Sequence, residues 1–179
     1  MTASAQLRAR TAAAHARVDD AFSAYDLGNR TDYKAFLLAH SRALPVAEKL
    51  IQSDRALPTL RARTVLLEQD MKALDQAMPS LLPFAPFAAA GGRHAAAAAW
   101  GILYVVEGSR LGGGILARRV AAELPTAYLG ALHQPGEWSK FRQALDTEAA
   151  QHDAAWIDTA VQGAKACFDL YERSCRNEG

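Results

Sequence analysis

The chain holds 179 residues, with 20 Lys+Arg against 19 Asp+Glu and a formal charge of +1. That length suits a single domain, residues 1–179, with a sizeable core. The near balance of charge argues against nucleic acid as a main partner. Ala occurs 39 times and Val plus Ile only 11 times. Ala is the best helix former and β-branched residues favour strands, so the expected class is all-α, one compact helical domain. Cys167 and Cys175 are too few to staple a scaffold and have no companions for a thiolate metal site. Arg8, Arg10 and Arg17 interrupt every apolar run near the start, so no signal peptide is predicted. The longest apolar run, 95–106, is twelve residues, where a membrane span needs about 20. A cytoplasmic protein without membrane contact is expected.

A first helix is predicted from Ser4, as N-cap, to Tyr25, ending at the Asp26-Leu27-Gly28-Asn29 turn. Thr31 is expected to cap a second, which carries Tyr33, Phe36, Leu37, Leu44 and Leu50 and a kink at Pro45. A third should fill 59–78, with Leu60, Leu67, Met71 and Leu74 as its buried stripe. Prolines and a Gly-Gly pair make 79–92 a loop. A long helix is predicted from Arg93 to about Glu123, interrupted by glycines around 108–114. After a loop over 124–136, one or two helices should run to Arg176.

Two segments carry chemistry. On the first helix Leu7, Thr11, Ala14, Val18 and Phe22 recur at helical spacing and form the inward face. Relative to His15, Phe22, Thr11 and Val18 lie within about 60° on one side, while Arg8 and Asp19 lie within about 40° on the other. His15 thus stands where the apolar face meets a charged edge. An imidazole there either faces a ligand, with Asp19 fixing its tautomer, or is a boundary histidine with a satisfied hydrogen bond.

The second segment is 104–114, in which Gly108, Gly112, Gly113 and Gly114 crowd into seven residues. Each glycine costs a helix interior about 1 kcal/mol against Ala, so the set costs up to roughly 4 kcal/mol. Gly108 and Gly112 are four apart and share a face on which something flat can lie against the backbone. Close helix packing or a simple helix end would also account for them. No Gly-Lys-Ser/Thr follows, so a phosphate loop is not indicated. His40, His94, His133 and His152 are scattered, without the paired spacing of a dinuclear carboxylate site. No GxSxG motif and no placed base support nucleophilic catalysis.

Together the two segments resemble the heme oxygenase family. Leu7-Arg8-Ala9-Arg10-Thr11-Ala12-Ala13-Ala14-His15-Ala16-Arg17-Val18-Asp19 is similar to the family's proximal helix. Gly101-Ile102-Leu103-Tyr104-Val105-Val106-Glu107-Gly108-Ser109-Arg110-Leu111-Gly112-Gly113 is similar to the distal helix of bacterial members, about ninety residues later. The resemblance implies an all-helical fold with heme between a proximal and a glycine-interrupted distal helix. It makes His15 the axial ligand of the iron, steadied by Asp19 through water. Thr11 belongs to the same heme-binding helix. Arg8 and Arg142 fall at the cationic positions for the propionates, which set the rotation of the macrocycle. Gly108, Ser109 and Gly112 become the catalytic distal stretch. Animal-type members carry an Asp where this chain has Ser109, which leaves Ser109 or Arg110 to order the distal water. The implied activity is oxygen-dependent cleavage of heme, both substrate and cofactor, to biliverdin, carbon monoxide and ferrous iron. Molecular oxygen and an external electron donor (ferredoxin or reductase) are the implied partners, with a bacterial phytochrome as one acceptor of biliverdin. Arg10 and Arg17 are expected at the donor's docking surface. A heme carrier or sensor on the same fold, and a helical interaction protein without heme, are the rival classes.

Overall fold

The computed structural model describes residues 1–59, 61–86 and 95–176. Six helices and no strand occur among them: α1 (Ala3–Ser23), α2 (Arg30–Ser53), α3 (Thr64–Ala73), α4 (Ala95–Ala117), α5 (Glu137–Ala149) and α6 (Ala154–Arg176). One hydrophobic core draws on all of them through Leu7, Phe36, Leu67, Ile102, Leu145 and Val161. The class expected from the Ala surplus is the class observed. Among the described residues no helix is long and apolar enough to cross a membrane. Both cysteines are free thiols.

Helix boundaries depart from local expectation where a distant side chain takes over. Thr2, not Ser4, caps α1, accepting from the Ala5 amide. Ser4 lies in the first turn, and its amide and hydroxyl both donate to the Asp146 carboxylate of α5 at 2.7 and 3.0 Å. Asn29, not Thr31, caps α2 by accepting from the Thr31 and Asp32 amides. Pro45 lies inside α2, which continues through it to Ser53.

The third helix is half the predicted length. Its start is set from outside, because the buried Glu48 carboxylate of α2 accepts from the Arg63 amide (2.7 Å), the Thr64 amide (3.0 Å) and the Thr64 hydroxyl (2.7 Å). A carboxylate at free amides is a favourable helix start. Asp75, in the left-handed region at φ 55°, stands just beyond its end. Leu67, Met71 and Leu74 form the buried stripe as expected; Leu60 lies outside the described residues, as do Arg93 and His94.

The glycines do not interrupt α4, which runs unbroken to Ala117. Close helix packing belongs instead to Gly101. A Cβ there would stand 1.8 Å from the Ala160 carbonyl oxygen of α6. Gly163 of α6 answers it, since its Cβ would be 2.2 Å from the Ala98 carbonyl oxygen. α1 also packs along α6, so α6 is the beam on which both chemistry-bearing helices rest. The loop after α4 folds back on its end, where Cβ atoms at Gly113 and Gly114 would meet Leu129 and Leu132 at 3.0 and 2.8 Å. That loop is pinned by Tyr33, whose hydroxyl donates to the Pro125 carbonyl, and by Asp70, which accepts from the Ala127 and Tyr128 amides.

Candidate functional site

His15 stands on the solvent side of α1, its side chain 61% exposed. Its Nδ1 lies 2.9 Å from Oδ2 of Asp19 one turn later, and its ring meets Phe168 of α6 edge-on at 5.5 Å. The contact with Asp19 is direct, where the resemblance implied a bridging water. A carboxylate accepts only, so Nδ1 carries hydrogen and the lone pair of neutral imidazole sits on Nε2. Thr11, 2% exposed, donates its hydroxyl to the Leu7 carbonyl at 2.7 Å. Its one hydrogen is therefore spent inside α1.

On α4 the four clustered glycines divide by what they face. Gly113 and Gly114 lie against the returning loop, whereas at Gly112 an added Cβ would meet nothing within 4 Å. At Gly108 it would meet only the tip of the Trp138 ring, at 3.6 Å. Gly108 and Gly112 thus form a bare strip along the helix. Ser109, between them, turns aside. Its hydroxyl donates to the Val106 carbonyl at 2.7 Å and accepts from Arg63 at 2.7 Å. Arg110, 1% exposed, pairs with Glu107 at 3.2 Å and donates to the carbonyls of Ala131 (3.0 Å) and Arg61. The Ser109 hydroxyl hydrogen and each Arg110 nitrogen thus already have a partner within the protein.

Arg8 and Arg142, exposed on α1 and α5, meet electrostatically at Tyr104, four residues before Gly108 and so on its face. Burial pushes the Tyr104 phenol up from its ordinary value, and the two positive charges pull against that shift. Charges carried by α1 and α5 thus both act on a phenol of α4. Arg142 also lines an open groove of about 650 Å³ between the start of α1 and α5, with Ser4, Ser139 and Asp146.

Behind the strip lies a polar interior that no local pattern announced. Arg63, 2% exposed, donates to Val106 and Ser109, and its guanidinium sits 5.2 Å from the centre of the Tyr128 ring. The Tyr128 hydroxyl stands 2.7 Å from Nδ1 of His40. Burial pushes the His40 imidazole down to about 3, helped by the charge of Arg63, so His40 is neutral and shares a single hydrogen bond with Tyr128. Arg10 and Arg17, both still partly exposed, are paired within the protein. Arg10 pairs with Asp158 at 2.8 Å, and Arg17 with Asp169 and Glu172 at 2.8 and 2.9 Å, clamping α1 to α6.

These features define a helical domain with an exposed, carboxylate-paired histidine on one helix and a stripped backbone face on another. The family model described as heme oxygenase matches residues 1–177. A heme oxygenase of Xanthomonas campestris pv. campestris (strain 8004) is 36% identical over 115 residues, which is 60% of this chain and 64% of that protein's length. A crystal structure of the NO- and CO-bound heme oxygenase of Neisseria meningitidis superimposes with a TM-score of 0.79 at 26% identity. That likeness covers 98% of this chain and 91% of the other. The chain belongs to the heme oxygenase family.

Proposed function

We propose that the protein cleaves heme with molecular oxygen to biliverdin, carbon monoxide and ferrous iron, heme serving as substrate and cofactor. One observation carries the reading. His15 has Nδ1 committed to Asp19, leaving Nε2 for a metal, while Gly112 keeps open the space a side chain would fill. The residues fit a flat, dianionic metalloporphyrin: an imidazole for the iron, a bare strip for the ring, and Arg8, Arg142 and Tyr104 for two carboxylates. Heme, when bound, supplies the redox chemistry that activates oxygen.

The chain's own part is to hold, orient and shield. Asp19 fixes the His15 tautomer and the orientation of its ring. Gly108 and Gly112 let backbone rather than side chain form the distal wall. Ser109 ties that wall to Arg63 by hydrogen bonds on both sides of its oxygen, which makes it a positioning residue for α4. With the Ser109 hydroxyl and the Arg110 guanidinium engaged internally, protons for the distal face come from solvent reached across Gly112. The sequence carries no flavin or nicotinamide fingerprint, so a separate ferredoxin or reductase supplies electrons. A cytoplasmic setting suits such a donor, and a phytochrome is one consumer of the biliverdin.

The test is the aerobic spectrum of the hemin complex with a reductant. Loss of the Soret band with growth of a biliverdin absorption is the expected result; a persistent ferrous spectrum would make the protein a carrier. His15→Ala should abolish the histidine-ligated spectrum. If that spectrum survives, the ligand is another residue.

A further inference from the structure

The bare strip of α4 is not equally open along its length. Gly112 faces empty space, whereas Gly108 is flanked by the Trp138 indole. This indole is held from three sides. It stacks on Phe141 at 5.4 Å, one turn later on α5, and lies 5.7 Å from both Tyr104 of α4 and the His133 ring. Its neighbours are anchored in turn. His133 Nε2 donates to the Glu107 carbonyl, one residue before Gly108, at 2.9 Å. Glu137, next to Trp138, accepts from the Gln134 amide at 2.6 Å and from Arg61 at 2.9 Å.

A flat ring on a flat strip has little to stop it turning in its own plane. Carboxylates held by exposed arginines restrain one edge through long, flexible arms. A rigid indole at one end of the strip supplies the hard contact the arginines lack, because overlap with a fixed ring penalises a wrong seating. We propose that Trp138 is the lateral stop of the heme slot. It fixes the in-plane rotation of the tetrapyrrole and so selects which meso edge is cleaved. His133 and Glu137 act through it as positioning residues. The inference rests on the heme reading above.

The experiment uses the full-length protein with hemin, comparing wild type with Trp138→Ala, Trp138→Leu and Trp138→Phe. Proton NMR of the ferric complexes counts ring seatings from the heme-methyl resonances, and chromatography counts the biliverdin isomers. The Ala and Leu variants should lower the ratio of major to minor seating about tenfold, ~1.4 kcal/mol. A second biliverdin isomer should appear in step, and the Phe variant should restore much of the original ratio. Leu, which keeps apolar bulk, maintains the test should Ala fail to fold. An unchanged methyl pattern in a folded, hemin-binding Ala or Leu variant overturns the inference. Absence of any Soret shift when wild type meets hemin overturns the heme reading instead.

Discussion

Gly101 and Gly163 are reciprocal: each removes the side chain that would collide with a backbone carbonyl beside the other. The approach leaves a Gly101 Cβ 1.8 Å from the Ala160 oxygen, closer than any van der Waals contact. Because the obstacle is backbone, no rotamer change relieves it, and α4 must move off α6. Gly101→Ala should therefore destabilise the protein by more than the roughly 1–3 kcal/mol of ordinary overpacking. Thermal unfolding followed by circular dichroism reads this directly. An unchanged midpoint would show that α4 and α6 stand further apart.

Gly112 predicts the opposite sign. Nothing lies within 4 Å of its virtual Cβ, so Gly112→Ala meets no clash and gains intrinsic helix propensity. The ligand-free variant should be more stable by about 0.5–1 kcal/mol. Hemin should bind it more weakly, because a methyl group stands on the strip. Chemical denaturation of the apoprotein and a Soret titration measure the two effects separately. A variant that gains stability and keeps full hemin affinity would place the ring elsewhere.

Gly101 and Gly112 also show what a sequence makes visible. Density drew attention to 108–114, and the His15 helix declared itself because its helical periodicity is local. Gly101 sits in an apolar run where nothing nearby marks it; its partner is 62 residues later on α6. Separation along the chain likewise hid the partners of Arg10 and Arg17, which lie on α6. It also hid the influence of the Arg8 and Arg142 charges on Tyr104 of a third helix. Tyr104 alone had a local signal, its spacing of four from Gly108. Arg63 had none, since its surroundings come from α2, α4 and the loop after α4.

Glu48 is where the short α3 can be tested. Its carboxylate, 2% exposed, is the acceptor for two amides and one hydroxyl. Glu48→Ala leaves those buried donors without a partner and should cost about 2–4 kcal/mol, with hydrogen bonds to a charged group worth about 1.5–3 kcal/mol each before relaxation. Glu48→Gln keeps one acceptor oxygen and should cost less. Equal stability of the Ala variant and wild type in urea would mean that α3 starts without this carboxylate.

The His40 imidazole gives the protein an acid-sensitive interior. Its ring is packed among Phe22, Phe36, Tyr128 and Tyr171 at centroid distances of 4.6, 4.5, 5.3 and 5.5 Å. Burial and Arg63 lower its pKa from 6.5 to about 3. Between those values the unfolded chain holds the proton and the folded chain does not, so stability rises with pH and falls as the solution is acidified. The slope is at most about 1.4 kcal/mol per pH unit. Asp70 works in the other direction, since burial raises its carboxyl and the folded state then retains a proton the unfolded state has lost. It offsets part of the loss in the carboxylate range, which leaves the window just below pH 6.5 as the cleanest reading of His40. His40→Gln keeps a hydrogen-bonding partner for Tyr128 but cannot titrate. Urea midpoints of the two proteins from pH 7.5 to 5 should diverge, wild type falling more steeply. Parallel slopes would mean that His40 takes up its proton without leaving the fold.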